Sequence, residues 1–194
     1  MLESRHMLKI GEVIPDTEIE VYQNDNFKKI KLEDYRGKWI VLLFYPADFT
    51  FVCPTELEDA ANHYKSFTDL GAEIISVSTD TTFVHKAWHD HSPAIAKVKY
   101  PMAADPTGNL CRTFGTYIDH EGLSLRASFI IDPDGKLVAY EIHDNSIGRS
   151  IGEILRKLQA AKFVRDNDGV LVCPASWHPG DKTLKPGADL VGKI

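Results

Sequence analysis

Residues 44–56 read FYPADFTFVCPTE and join a strand-forming run to a segment with helical spacing. A continuous apolar run, Trp39 to Tyr45, leads into it and is read as a buried strand, an assignment that periodicity alone does not fix. Beyond it Leu57, Ala60, Ala61, Tyr64 and Phe67 recur at helical spacing, with a stop near Gly71. Cys53 falls at the junction, with Pro54 directly behind it. Proline is favoured at the first helical position, where its missing N–H would have been unpaired anyway. The spacing therefore predicts Cys53 at or next to a helix N-terminus, where the helix dipole stabilises an anion. A thiolate is such an anion, and it is the nucleophilic form of the side chain. The plainer reading makes Cys53 a small buried hydrophobe, the common fate of a free cysteine. That reading leaves Pro54, the nearby Thr50 and Pro46 at the mouth of the loop without a reason.

Outward from this stretch the chain alternates strands and helices. Ile19–Tyr22 and Lys29–Leu32 pair as short strands across the polar residues 23–26. Ala72–Val77 is a second buried strand, and Thr82–His91 is a helix closed by Ser92-Pro93. A short strand is expected over Tyr100–Ala104 and a helical stretch over Gly108–Phe114. Leu125–Ile131 and Leu137–Ile142 form a hairpin across Asp132-Pro133-Asp134-Gly135, a strong turn sequence. Ile151, Ile154, Leu155 and Leu158 mark a last helix running to about Phe163. The pattern predicts an α/β layer fold, a mixed central sheet with helices on both faces. Residues 8–163 are expected to form one domain, and residues 164–194, with Pro174, Pro179 and Pro186 and no clear period, an extended C-terminal arm.

Composition narrows the function. The chain has 194 residues, a formal net charge of −6 and no block of Lys/Arg, which argues against nucleic acid as a partner. No apolar run approaches the ~18 residues of a membrane span, so no membrane partner is expected. The N-terminus carries no apolar signal-peptide core, and His6-Met7 resembles the scar of an expression tag, so nothing is built on residues 1–7. Three cysteines in such a chain suit a reducing, cytoplasmic compartment, where cysteines tend to be catalytic or metal-binding. His85, His89 and His91 offer a helical pair with metal-ligand spacing, but no third ligand stands at a suitable distance. A polar helix face is the expectation there, with no metal. No Gly-rich nucleotide loop is present, and no cofactor is expected.

Residues 44–56 resemble the active-site signature of the peroxiredoxins, thiol-dependent peroxidases on a thioredoxin-like fold, with Pro46, Thr50 and Cys53 at the family spacing. Arg126 in LRASFIIDPDG and Val172-Cys173-Pro174 followed by Trp177 agree with the same family, and the ending Asp189–Ile194 resembles a bacterial branch of it. The resemblance implies that Cys53 attacks the peroxide and that Arg126 is the active-site cation. A strand-edge surface arginine is the other reading of Arg126. Thr50, able both to donate and to accept, would hold peroxide and thiolate together, and Pro46 would shield the site. Glu56 and Arg149 match family positions and are expected to orient Arg126; a surface ion pair is the alternative for each. Trp88 is expected near the active-site loop.

Attack would leave a sulfenic acid on Cys53, which a second thiol can capture as a disulfide. Position 56 is Glu, so the helix supplies no C-x-x-C dithiol. Cys111 is read as a core cysteine. Cys173 matches the family's resolving cysteine, and in the typical two-cysteine class it would reach Cys53 of a partner subunit. The resemblance therefore implies a homodimer, assembled into a ring of usually ten subunits, with Phe49, Phe83 and Val84 candidates for a dimer–dimer contact. It implies hydrogen peroxide and organic hydroperoxides as substrates and a thioredoxin-like or flavoprotein disulfide reductase as electron donor. The family's easily inactivated members carry a Gly-Gly-Leu-Gly insertion and a Tyr-Phe pair near the C-terminus. Neither is present here, so resistance to overoxidation is expected. The rival from another class is a ring-shaped holdase or a redox-sensing binding protein.

Overall fold

The structure, a computed structural model, describes residues 7–193. Of the suspected tag scar only Met7 lies among them, and Ile194 of the tail motif lies outside the described residues. Two compact units divide the chain, the first ending at Ile151 and the second beginning at Gly152.

The first unit is built on a seven-stranded mixed sheet. Its strands are β1 (Glu18–Gln23), β2 (Asn26–Lys31), β3 (Trp39–Phe44), β4 (Ala72–Ser78), β5 (Met102–Ala104), β8 (Arg126–Ile131) and β9 (Leu137–His143), in the order β2-β1-β5-β4-β3-β8-β9. Two two-residue strands, β6 (Tyr117–Ile118) and β7 (Leu123–Ser124), form a separate ribbon that the sequence does not announce. The β3–β4 and β4–β5 pairs are parallel, while β8 runs antiparallel to β3. All six residues of β3 are buried, because both sheet faces are covered.

The helices of this unit are α1 (Cys53–Asp69), α2 (Thr82–His91) and the short α3 (Asn109–Thr113). Alternation along the strands sorts the core into two layers. Ile40, Leu42, Phe44, Ala127, Phe129 and Ile131 pack with Leu110 and Cys111 of α3 on one face. Arg126 and Ser128 point the other way, where the former meets Cys53 and Glu56 of α1. The expected helices on both faces are thus present. Turn chemistry fixes the hairpins. Asn24 and Asp25, both at positive φ, close the β1–β2 loop as a two-residue hairpin turn. In the β8–β9 turn Asp132 Oδ1 accepts from the N–H groups of Asp134 and Lys136. Gly135 there has φ +77°, and a Cβ would collide with the Arg36 guanidinium.

The second unit consists of α4, spanning Ile151–Asp166 and so entered from the first unit, followed by a long irregular segment. That segment is tied by an isolated bridge between Val172 and Leu184. Trp177 anchors it. Its ring lies 5.0 Å from that of Phe163 on α4, its Nε1 donates to Asp181 O at 3.2 Å, and its carbonyl accepts from Arg156 at 2.9 Å.

Candidate active site

The site begins where β3 ends. Cys53 is the first residue of α1, wholly buried, with Pro54 in the first turn. No side chain caps this helix: Val52 at the N-cap already has helical φ and ψ of −81° and −37°. The N–H groups of Thr55 and Glu56 close the turn on Val52 O at 3.1 and 3.3 Å.

Sheet register delivers the arginine that is remote in sequence. Phe44, the last residue of β3, pairs with Ala127, so Arg126 at the start of β8 stands where the Cys53 loop begins. β8 lies between β3 and β9, and the Arg126 side chain is 4% exposed, so it is not a strand-edge surface arginine. Its Nη1 donates to Cys53 Sγ at 3.2 Å and to Glu56 Oε2 at 2.9 Å. The pairing of Arg126 with His143 brings the segment after β9 to the same end of the sheet. Asn145 from that segment accepts from Arg126 Nε through its carbonyl and from Arg126 N through its side chain, at 2.8 and 3.1 Å. Nothing in the sequence singles out Asn145, since its role depends on register.

Glu56 joins the two arginines. Arg149 donates to it from Nε, Nη2 and the backbone N at 2.7–2.9 Å. Arg149 Nη1 also reaches Ala127 O. The three side chains are at most 4% exposed, which excludes the surface ion pair as a reading of Glu56 and Arg149. Burial works against ionising Glu56, but the hydrogen bonds and charge of Arg149, with Arg126 behind them, outweigh it and hold the carboxyl below its usual range.

The structure therefore brings Cys53, Glu56, Arg126 and Arg149 together. Pro46 is buried in the loop that precedes them. The Thr50 hydroxyl donates to Ala47 O at 2.9 Å, within the same loop, leaving its oxygen lone pairs to accept. Trp88 of α2 lies against this loop, its ring 6.0 Å from Phe49 and 6.2 Å from Tyr45.

The other cysteines differ in kind. Cys111 is fully buried on α3. Burial, with the charge of Asp105 adding to it, pushes its thiol up to about 12, which suits the core role read from the sequence. Cys173 is partly exposed in the second unit, with its Sγ 3.8 Å from Ala160 O. Burial raises its thiol above the usual value and the charge of Arg156 works against that.

One histidine departs from expectation. His85 is not part of a polar helix face: it is completely buried, with Nδ1 2.7 Å from Asp48 Oδ2 and Nε2 3.1 Å from Ala103 O. His89 meets Tyr22 Oη and Val98 O, each at 3.3 Å. Among the described residues no group of three or more His, Cys, Asp or Glu is arranged to hold a metal ion.

Known proteins of similar sequence and structure identify the family. The profile of the AhpC/TSA family matches residues 10–140. Alkyl hydroperoxide reductase C of Staphylococcus aureus strain Mu50 is 54% identical over 172 residues, which cover 89% of this chain and 90% of that protein. The crystal structure of Enterococcus faecalis AhpC superposes with a TM-score of 0.83 at 47% identity, covering 87% of this chain and 100% of that one. Reduced 2-Cys peroxiredoxin of Plasmodium vivax superposes with a TM-score of 0.88 at 30% identity, covering 93% and 94%. Fold and relatives together define the class, a thioredoxin-like oxidoreductase with a peroxidase role, a peroxiredoxin. The chain belongs to the AhpC/TSA family.

Proposed function

We propose that this chain reduces hydrogen peroxide and alkyl hydroperoxides at Cys53 and passes the oxidation to Cys173 of a partner subunit. The observation that carries the reading is the Arg126 guanidinium 3.2 Å from a fully buried Cys53 Sγ at a helix start. Arg126 and Arg149 bring two buried positive charges and Glu56 one negative charge, so an ionised Cys53 balances the group. The thiolate attacks one peroxide oxygen and the O–O bond breaks. The attacked oxygen stays on sulfur with its hydrogen as a sulfenic acid, and the departing oxygen takes up the proton that the thiol had released to solvent and leaves as alcohol or water. Arg126 stabilises charge on the departing oxygen, Thr50 orients the peroxide through its hydroxyl, and Pro46 keeps water out. Glu56 and Arg149 orient Arg126 and are not themselves in contact with the peroxide.

In the second step the Cys173 thiol attacks the sulfenic sulfur, expels water and leaves an intersubunit disulfide. A thioredoxin-like or flavoprotein disulfide reductase supplies two electrons to regenerate both thiols by exchange. The division of labour puts the peroxidase chemistry in residues 8–163 and the resolving cysteine on an arm, residues 164–194. This requires a homodimer, and assembly into a ring, ten subunits by family analogy, is supported by aromatic surface. Phe49 is 57% exposed and Phe83 72%, whereas Val84, the third candidate, is half-buried. The three unpaired cysteines suit a reducing cytoplasm.

The test is peroxide consumption with a dithiol protein as reductant. Turnover by the wild type, none by Cys53→Ser, and a single oxidation without turnover by Cys173→Ser are expected. Equal consumption by Cys53→Ser would overturn the assignment, and no consumption by the wild type would favour a holdase or a redox-sensing binding protein.

A further inference from the structure

Asp48 lies in the loop between β3 and α1, two residues before Thr50 and five before Cys53. Its carboxylate is fully buried, yet it has no role in the chemistry set out above. Both of its oxygens are used: Oδ1 accepts from Tyr45 Oη at 2.7 Å, and Oδ2 faces His85 Nδ1 at 2.7 Å. His85 in turn is fixed from the other side. Its Nε2 faces a carbonyl, Ala103 O, at 3.1 Å and must therefore be the donor there. The backbone of Asp48 is held as well, its N–H donating to Asp80 Oδ2 at 2.9 Å, and Asp80 also accepts from Ser78 Oγ at 2.7 Å. The next residue, Phe49, has φ +55°, a left-handed conformation that a bulky side chain adopts only when its surroundings impose it.

We infer that the buried Tyr45–Asp48–His85 hydrogen-bond chain is a positioning device. It ties the reactive loop to α2 and to β5, and so keeps the Cys53 helix start wound in the form that reacts with peroxide. The geometry singles these residues out because the chain spans three separate elements, meets the loop at the strained turn, and is closed at both ends. Burial pushes the Asp48 carboxyl above its usual range, against the hydrogen bond and charge of His85. This inference rests on the proposed reading of Cys53 as the peroxide-reacting thiol. Disulfide formation needs the helix start to unwind, so a weakened tether has opposite effects on the two steps. The first oxidation slows, while capture by the second thiol gains on overoxidation.

The experiment follows Cys53 by quenched mass spectrometry after mixing reduced protein with hydrogen peroxide, in wild type, Tyr45→Phe, Asp48→Ala and Asp48→Asn. Sulfenic, disulfide and sulfinic forms are separated. Tyr45→Phe removes one donor at nearly constant shape, and Asp48→Ala removes the centre of the chain. Both should slow the first oxidation, Asp48→Ala by about tenfold or more, and both should lower the ratio of sulfinic acid to disulfide. Asp48→Asn can accept from Tyr45 and donate to a neutral His85, so it should remain near wild type in both readouts. If Asp48→Ala does not fold, Tyr45→Phe decides by itself. The inference is overturned if Tyr45→Phe matches wild type in both readouts, if either variant raises the sulfinic share, or if Asp48→Asn is as slow as Asp48→Ala. A general loss of stability would not divide the two readouts in this way. Failure of wild-type Cys53 to oxidise would instead strike at the proposed function.

Discussion

Glu56 is the residue that joins the two arginines of the candidate site. It receives Arg126 and three donors from Arg149 while 2% exposed. Removing its charge leaves the buried Arg149 guanidinium without an anionic partner and Arg126 with only the Cys53 sulfur, so Glu56→Gln should cost about 3–5 kcal/mol in denaturant unfolding. It should also slow oxidation of Cys53, because Arg126 loses its orientation. The pH dependence follows from the lowered Glu56 carboxyl. A carboxyl whose folded value lies below its unfolded value, about 4.3, contributes stability that is complete above that pH. The contribution disappears as pH falls through the folded value. Urea midpoints of the wild type should therefore drop more steeply on acidification below about pH 4.3 than those of Glu56→Gln; parallel curves would contradict this. At Cys111 the thiol is buried and raised to about 12. Alkylation of the native protein near neutral pH should leave it unlabelled, and Cys111→Ser should lose stability while retaining turnover. Loss of turnover in that variant alone would reassign the resolving thiol. At this scale the sequence was informative only where chemistry is local. Cys53 with Pro54 announces a helix start by adjacency, whereas Asn145 acts on Arg126 through sheet register that no local pattern encodes. His85 looked like part of a polar face because imidazole spacing on a helix does not say which side the core lies on.

Elements with strong local signals lie where the sequence puts them. α2 spans Thr82–His91 as expected, closed before Pro93, and its preceding Thr81 caps it by accepting from Val84 N at 3.4 Å. Thr81→Ala should cost about 1 kcal/mol, read as a lowered unfolding midpoint, and an unchanged midpoint would show that the long cap bond contributes nothing. The β8–β9 hairpin was legible in Asp132–Gly135, whose side-chain turn bonds and positive-φ glycine are local properties. The two-residue strands β6 and β7 were not legible, since a pair so short leaves no period to detect. The end of α4 at Asp166 lies three residues past the expected Phe163, because a sequence pattern places helix ends only to within a few residues. In the second unit the irregular segment has no period, and it is held by the Val172–Leu184 bridge and by Trp177. Trp177→Ala removes the ring packed on Phe163 and the Nε1 bond to Asp181. Amide exchange over residues 172–184 should rise sharply in this variant, while α4 keeps its protection; uniform exchange across both would show that the tryptophan anchors nothing.

For the whole molecule, the exposed aromatics are the features that a lone subunit does not explain. Phe27, Phe49, Phe51 and Phe83 are all exposed, and the Phe27 and Phe83 rings lie 5.3 Å apart. Exposed apolar side chains of this kind suit contact with another protein surface, and assembly of copies of this chain is the proposed use. Reduced protein should sediment as an oligomer larger than a dimer. Phe83→Asp should shift it toward dimer, and oxidation should loosen the same contact because the Cys53 helix start must unwind. A monomer in both redox states would rule out the assembly. The mixed sheet order and the antiparallel entry of β8 decide which distant residues meet at Cys53, and these are global properties that an alternating pattern predicts only as a class. Transfer of oxidation from Cys53 to Cys173 can be read by mass spectrometry of protein treated with stoichiometric peroxide and digested without reduction. A Cys53–Cys173 peptide pair joining two chains is expected, with Cys111 as a free thiol. A Cys53–Cys111 link, or Cys173 still free beside an oxidised Cys53, would contradict it.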